Sequence, residues 1–272
     1  MADLVEYYNK FNEDKRLLSR HGQVEYAVTR HFLDKDIRSL NSENNPTKET
    51  AAHDIFVADI GAGTGRYSIA LAKEGYKVTS VEYVQYNLGI LKKHMKEEGL
   101  SFEAFKGDAR KLKKLQDNSF DVTLLLGPMY HLHSDEDKVK ALKEAIRITK
   151  PHGYIFVAYV MADYAVVKYG FMEGHIKESV SKNALTDDYR VISDENELYD
   201  YVRLEDIDRI NELAGASREY IFAPDGPADY IRNTLNDMDD ESFGLFIDYQ
   251  IKNAFRPELL GASSHLVDVI RV

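Results

Sequence analysis

The sequence predicts an α/β fold in which a largely parallel sheet carries helices on its faces. Three observations lead there. The stretch Ile55 to Gly65 (IFVADIGAGTG) passes from a short apolar run with β-branched residues into glycines at 61, 63 and 65, and then into the helical run Arg66 to Glu74. Further apolar runs at 76–82, 101–106, 120–126 and 154–160 alternate with helical patterns, as βαβ units require. The turns that follow these runs carry glycine and acid, at the carboxyl ends of strands where open α/β sheets place their binding crevice.

The elements can be justified in order. Residues 1 to about 40 read as helical, with Leu17, Val24, Val28, Phe32 and Leu33 at roughly helical spacing and a break expected at His21-Gly22. The polar stretch Asn41 to Thr50, containing Asn45-Pro46, separates this segment from the rest, so it reads as a cap joined by a loop. Strand one then enters the glycine turn, which brings backbone N–H groups and a helix N-terminus toward a ligand. A dinucleotide fingerprint needs its third glycine at the sixth position, but counting from Gly61 that position is Arg66, and counting from Gly63 it is Ser68. A phosphate-cradling loop needs Gly-Lys-Ser/Thr, and Gly65-Arg66-Tyr67 does not provide it.

Tyr76 to Glu82 is the second strand. Glu82 closes it near the distance at which α/β nucleotide sites set an acid on ribose hydroxyls, a task that suits a group able to accept from both. Tyr83 serves either to pack on a base or to begin the helix Val84 to Gly99. Ser101 to Lys106 is the third strand and ends in Gly107-Asp108-Ala109-Arg110. The fourth, Phe120 to Leu126, leads into Gly127-Pro128-Met129-Tyr130-His131-Leu132-His133. Ser134 then caps a helix whose first turn is acidic and whose buried face is Val139, Leu142, Ile146 and Thr149. Lys150-Pro151-His152-Gly153 closes that helix, and Tyr154 to Val160 is the fifth strand.

The run Asp59 to Gly65, D-x-G-x-G-x-G, resembles the first motif of the class I S-adenosylmethionine-dependent methyltransferases. Gly107-Asp108-Ala109 and the F-D, apolar run, helix, K-P-x-G sequence resemble later motifs of that family. The resemblance implies a Rossmann-like, doubly wound, seven-stranded sheet with an antiparallel last strand and a helical cap. It places a helix at 204–214, the sixth strand at 218–223 and the seventh at 265–272. The chain then divides into a helical cap segment (1–50), a cofactor-binding core (51–160), a cap insertion (161–201), a continuation of the core (202–223), a helical insertion (224–262) and the last strand (263–272). Both insertions would sit over the carboxyl ends of the strands.

The implied cofactor is S-adenosyl-L-methionine. The implied contacts are Asp59, Gly61, Ala62, Gly63, Gly65, Glu82, Tyr83, Asp108, Ala109 and Gly127. Tyr8 and Arg16 join them because an N-terminal helix closes over the cofactor in many small-molecule members. Asp108 serves either the adenine amino group or as N-cap of a helix from Arg110. The loop after strand four lies beside the methyl group in this fold, and Gly127-Pro128-Met129-Tyr130 lacks the Asn/Asp-Pro-Pro-Tyr that adenine-N6 and glutamine methyltransferases carry. His131 is by position the candidate base, with Tyr130 as its neighbour and His265 more remote; His131 is otherwise a wall residue. His131 and His133 lack an identifiable third metal ligand, so no metal is expected.

Composition narrows the chemistry. The chain has 272 residues, 44% of them apolar, and no cysteine, which excludes disulfides, thiolate metal sites and cysteine nucleophiles. A formal charge of −11 repels phosphate backbones, so a small-molecule methyl acceptor is expected and nucleic acid is not; Lys111, Lys113 and Lys114 read as a solvated face. No apolar run spans a bilayer and the N-terminus lacks a signal-peptide core, so the expected location is cytoplasmic with no membrane partner. Two other classes stay open: a cofactor-binding regulatory protein without transfer, and a nicotinamide oxidoreductase. The sequence leaves the acceptor, its nucleophilic atom and the oligomeric state undefined.

Overall fold

The computed structural model describes Tyr7, residues 19–44 and residues 54–272. One sheet contains β1 (Phe56–Ile60), β2 (Lys77–Glu82), β3 (Glu103–Lys106), β4 (Phe120–Leu125), β5 (Thr149–Val160), β6 (Ser217–Phe222) and β7 (His265–Arg271). Its order is β3-β2-β1-β4-β5-β7-β6. Strands β1 to β5 pair in parallel, and β7 lies antiparallel between β5 and β6. The order reverses between β1 and β4, which opens the crevice of a doubly wound sheet there.

The period of two along each strand sorts side chains between two cores. Val57, Val122, Leu124 and Phe156 face one layer, while Ala58, Leu125, Ile155 and Val157 face the other. The first layer contains α1 (Arg20–Asn44), α2 (Arg66–Lys73) and α6 (Asp240–Asn253), contributing Val24, Val28, Phe32, Leu33, Ile37, Leu71 and Phe243. The second contains α4 (Asp135–Ile148) and α5 (Leu204–Ala214), with Ala141, Leu142, Ala145, Ile207 and Ile210. Helix α3 (Gln85–Glu97) follows β2 and buries Leu88 and Leu91. Burying a side chain of the Val, Leu or Phe kind stabilises by about 1.5–3 kcal/mol, so the stripe from Val24 to Leu40 makes α1 a wall of the core as well as a cover.

The local readings need four corrections. The chain does not break at His21-Gly22: both lie in the first turn of α1, where Ser19 Oγ accepts the Gly22 N–H at 3.4 Å. A first turn lacks intrahelical acceptors for its N–H groups, so glycine is tolerated there. No helix starts at Arg110; the chain turns back in an isolated bridge between Asp108 and Lys111. The polar stretch expected as a loop from Asn41 is helical to Asn44. Lys150 to Gly153 belong to the head of β5, where His152 takes φ +64° and its N–H reaches the Val272 carbonyl at 2.6 Å.

Residues 161–201 contain a short helix at Ala162–Ala165, a π-helical stretch at Val166–Met172 and a helix at Ile176–Ser181. Residues 224–262 are largely helical, with Arg232–Asp237 and Pro257–Leu260 flanking α6. Among the described residues, no helix is long and apolar enough to cross a membrane.

Candidate active site

A cleft of about 1290 Å³, counted to its open mouth, runs along the carboxyl ends of the strands, and every parallel strand from β1 to β4 delivers a loop to it. β1 delivers Asp59 to Thr64. The chain reverses because Gly61 and Gly63 take φ of +79° and +56°, and the Gly61 N–H bonds the Val81 carbonyl at 2.7 Å. A Cβ on Gly61 would lie 2.6 Å from Pro128 Cδ, so the glycine turn packs directly against the loop after β4. Gly65 stands apart from the cleft lining. It precedes α2 with φ +94° and lies under Leu91, where a Cβ would come within 2.2 Å of Cδ1.

β2 delivers Glu82, which is 5% exposed. Its Oε2 accepts the Gly63 N–H at 2.8 Å and its Oε1 accepts the Val84 N–H at 2.7 Å. This arrangement bears on the ligand. The Gly63 N–H, which in a phosphate-cradling turn would point at an anion, is already bonded to a carboxylate. A carboxylate oxygen can accept more than one hydrogen bond, so Glu82 keeps the chemistry of a diol acceptor.

β3 delivers Gly107 to Arg110. Asp108 accepts the Arg110 backbone N–H at 2.9 Å and its guanidinium Nη2 at 2.7 Å. Burial opposes the charge on Asp108, but the bonds from Arg110 outweigh it and hold the carboxyl below its ordinary value. Asp59 has the opposite balance. It is 3% exposed, and burial pushes it up to about 6 although Ser68 Oγ donates to it at 2.5 Å.

β4 delivers Leu126 to Leu132. The Tyr130 ring makes edge contacts with His131, Tyr199 and His265 at centroid distances of 4.7, 5.8 and 6.4 Å. His131 stacks on Tyr199, and its Nδ1 bonds the Leu198 carbonyl at 2.9 Å. Burial lowers the His131 pKa to about 4, overriding the raising effect of that bond, so the ring is neutral and weakly basic at neutral pH. The insertion is fixed beneath it by the buried pair Lys138–Asp200, and the Asp200 N–H reaches the Tyr130 carbonyl at 2.8 Å.

The structure therefore brings Asp59, Gly61, Ala62, Gly63, Glu82, Tyr83, Asp108, Ala109, Gly127, Tyr130 and His131 to one cleft. Tyr8 and Arg16 lie outside the described residues. Sequence reasoning missed several lining residues. Glu25 and Thr29 come from α1 and Asn87 from α3; His265, expected only as a remote candidate base, lines the wall with Asp225 behind it. The Arg66 guanidinium sits 4.2 Å from the centroid of Tyr26, tying the glycine turn to α1.

Among the described residues, several buried polar atoms lack a hydrogen-bond partner, and of these Asn87 Oδ1 and Arg66 Nε belong to residues that line the cleft. Buried polar atoms are nearly always satisfied, so these two are available to a polar ligand in the cleft. The lining fits S-adenosylmethionine: a carboxylate at the diol position, Asp108 for an amino-bearing base, unpaired polar atoms, and an acidic surround for a ligand with sulfonium and ammonium charges. A pyrophosphate would face Asp59 and Glu82 instead.

Comparison with known proteins agrees. Residues 58–157 match a family described as a methyltransferase domain. Over 104 residues the chain is 27% identical to the ubiquinone biosynthesis O-methyltransferase of Pseudomonas aeruginosa, covering 38% of the chain and 44% of that relative. It is 34% identical over 102 residues to the cypemycin N-terminal methyltransferase of a Streptomyces species, covering 37% and 40%. The chain thus spans less than half the length of these curated relatives. A solved S-adenosylmethionine-dependent methyltransferase from Thermotoga maritima shares the fold, with TM-score 0.51 and 18% identity over 100% of this chain and 99% of that one. With the sheet order and the matched domain together, residues 58–157 form a methyltransferase domain carried on the fold of the S-adenosylmethionine-dependent methyltransferases.

Proposed function

We propose that this chain is an enzyme that transfers a methyl group from S-adenosylmethionine to a small-molecule acceptor. One observation carries the reading: Glu82 takes the Gly63 N–H into a carboxylate at the ribose position, making the turn a receptor for a nucleoside without a pyrophosphate. Bound S-adenosylmethionine supplies the methyl group as a sulfonium electrophile. The residues of the chain then have positioning roles. Glu82 receives the ribose hydroxyls, Asp108 and the Ala109 N–H receive the adenine edge, and Asn87 offers its carboxamide oxygen beside them. Asp59 and Glu25 face the cationic end, and Gly61 and Gly63 let the backbone approach.

Tyr130 and His131 line the acceptor side. With its basicity reduced by burial, His131 orients an acceptor through hydrogen bonding rather than by holding its proton. Orientation of two bound reactants contributes about 7–11 kcal/mol at best, so a cleft that only aligns them accounts for substantial catalysis. The net charge of −11 disfavours nucleic acid as acceptor, and the relatives, one acting on oxygen and one on an N-terminus, leave the nucleophilic atom open.

The test is incubation with methyl-tritiated S-adenosylmethionine and panels of phenols, amines and carboxylic acids, counting label in the extracted acceptor. Transfer to one of these classes is the expected result. Binding of S-adenosylhomocysteine with no transfer to any class, and transfer instead to RNA or protein fractions, would overturn the small-molecule reading.

A further inference from the structure

Helix α1, the loop after β6 and the first residue of β7 converge on one wall of the cleft. Because β6 and β7 are antiparallel, the end of one and the start of the other reach the same edge of the sheet. Asp225 and His265, 40 residues apart, meet there. Asp225 is 4% exposed, and three groups hold its carboxylate in place. Oδ2 accepts from His265 Nδ1 at 2.7 Å, while Oδ1 accepts from Ser263 Oγ at 2.6 Å and from the His265 backbone N–H at 3.1 Å. The loop is itself fixed, since the Gly226 N–H bonds Ser263 Oγ at 3.0 Å and a Cβ on Gly226 would collide with Gln250. His265 lines the same cleft as Tyr130, and Glu25 of α1 brings a carboxylate to the group.

We propose that Asp225 and His265 form a general-base dyad that takes the proton of the methyl acceptor, so that the acceptor is a hydroxyl or amine bearing a proton on its nucleophilic atom. This rests on the methyl-transfer reading above. A buried carboxylate on Nδ1–H fixes the tautomer, leaves the lone pair on Nε2 and stabilises the imidazolium that forms. In the balanced step, a lone pair on the acceptor oxygen or nitrogen bonds to the methyl carbon, and the methyl–sulfur electron pair stays on sulfur. The acceptor proton passes to Nε2 and then to water. Asp225 touches only the imidazole and is a positioning residue; His265 is the catalytic one. Among the described residues, the charged and titratable groups around the ring are Asp225, Glu25 and Tyr130. Ligand atoms of Glu25, Asp225 and His265 lie within 4.8 Å of one another, so a divalent cation is the competing occupant. The three donors converging on Asp225 favour the proton role, because a cation there would displace at least the Nδ1–H bond.

The experiment uses the full chain, labelled with ¹⁵N-histidine and saturated with S-adenosylhomocysteine. The His265 signals, assigned by their loss in His265→Gln, should show the Nδ1–H tautomer, and Asp225→Asn should convert them to a mixture. An Nε2–H tautomer in the wild type, or a spectrum that Asp225→Asn leaves unchanged, overturns the dyad. Stoichiometric broadening of His265 by Mn²⁺, absent in Asp225→Asn, overturns it in favour of a metal site. For acceptors turned over in the tritium assay, His265→Gln should lower kcat by about 100-fold or more and flatten the pH profile, with KM and S-adenosylhomocysteine affinity within a few-fold of wild type. Equal kcat in His265→Gln overturns the proposal. Loss of S-adenosylhomocysteine binding by the wild type would instead indict the cofactor reading.

Discussion

Replacing Asp59 with asparagine should make the chain more stable as pH rises. Asp59 ends β1 at 3% exposure, and its pKa is pushed from 3.8 to about 6 by burial, against the opposing hydrogen bond from Ser68. The folded state therefore holds a proton on this carboxyl that the unfolded chain has already lost between those two values. Stability falls with pH wherever the native state binds more protons, so the Asp59 contribution is fully present below pH 3.8 and is lost as pH passes through about 6. At 1.36 kcal/mol for each tenfold change, the gap between 3.8 and about 6 means that ionised Asp59 costs the fold about 3 kcal/mol at pH 8. Roughly 1.4 kcal/mol of that develops between pH 5 and pH 8.

The assay is urea unfolding of wild type and Asp59→Asn across pH 5 to 8 without ligand. All other titrating groups are common to both chains, and any constant offset from altered bonding to Ser68 does not vary with pH. The stability difference should therefore grow in favour of Asp59→Asn by about 1.4 kcal/mol over that range. Parallel profiles, or a difference that grows in favour of wild type, would refute the buried, destabilised carboxylate. The same carboxylate lines the cleft proposed to receive the ligand's ammonium group, so Asp59→Asn should also bind S-adenosylhomocysteine more weakly. Stability gained and affinity lost by one substitution would mark a residue kept for the site.

Other outcomes follow from the same geometry. Gly65→Ala must hold φ near +94° and place a Cβ against Leu91, and it should lose about 2–4 kcal/mol in urea unfolding. The folded fraction should keep its affinity within tenfold, because Gly65 packs beneath the cleft. Lys138→Met leaves Asp200 buried without its cation and should cost about 3–5 kcal/mol, whereas Lys138→Met combined with Asp200→Leu should recover most of that in thermal unfolding. Asp108→Asn should shrink the preference for S-adenosylhomocysteine over its inosine counterpart, measured by competition, because the role proposed for the carboxylate is to accept from the amino group that inosine lacks.

Local chemistry made much of the sheet and the cofactor wall readable. Glycines at 61 and 63 are needed for a positive-φ turn, Glu82 closes an apolar strand, and Leu204 to Ala214 has helical periodicity bounded by Gly215; each is a short-range pattern. Gly65 shows the limit of such reading. It belongs to the motif, yet the contact that demands glycine is with Leu91, a partner set by helix packing. The helix expected from Arg110 failed because Arg110 binds Asp108 and Asp137 at once, holding the segment in a turn. The Asp225–His265 pair was unreadable because nothing local links an acid after β6 to a histidine at the head of β7. Only the antiparallel register brings them together. Burial also bears on His131, whose position suggested a base and whose surroundings lower its pKa to about 4.

The acid-lined cleft is the place for S-adenosylmethionine on this geometry. Calorimetric titration of S-adenosylhomocysteine into wild type and Glu82→Ala, with NAD as control ligand, tests it most directly. Micromolar binding to the wild type is expected, with a loss of at least about 1.4 kcal/mol, or tenfold, in Glu82→Ala and no heat from NAD. Tight NAD binding with none for S-adenosylhomocysteine would contradict it.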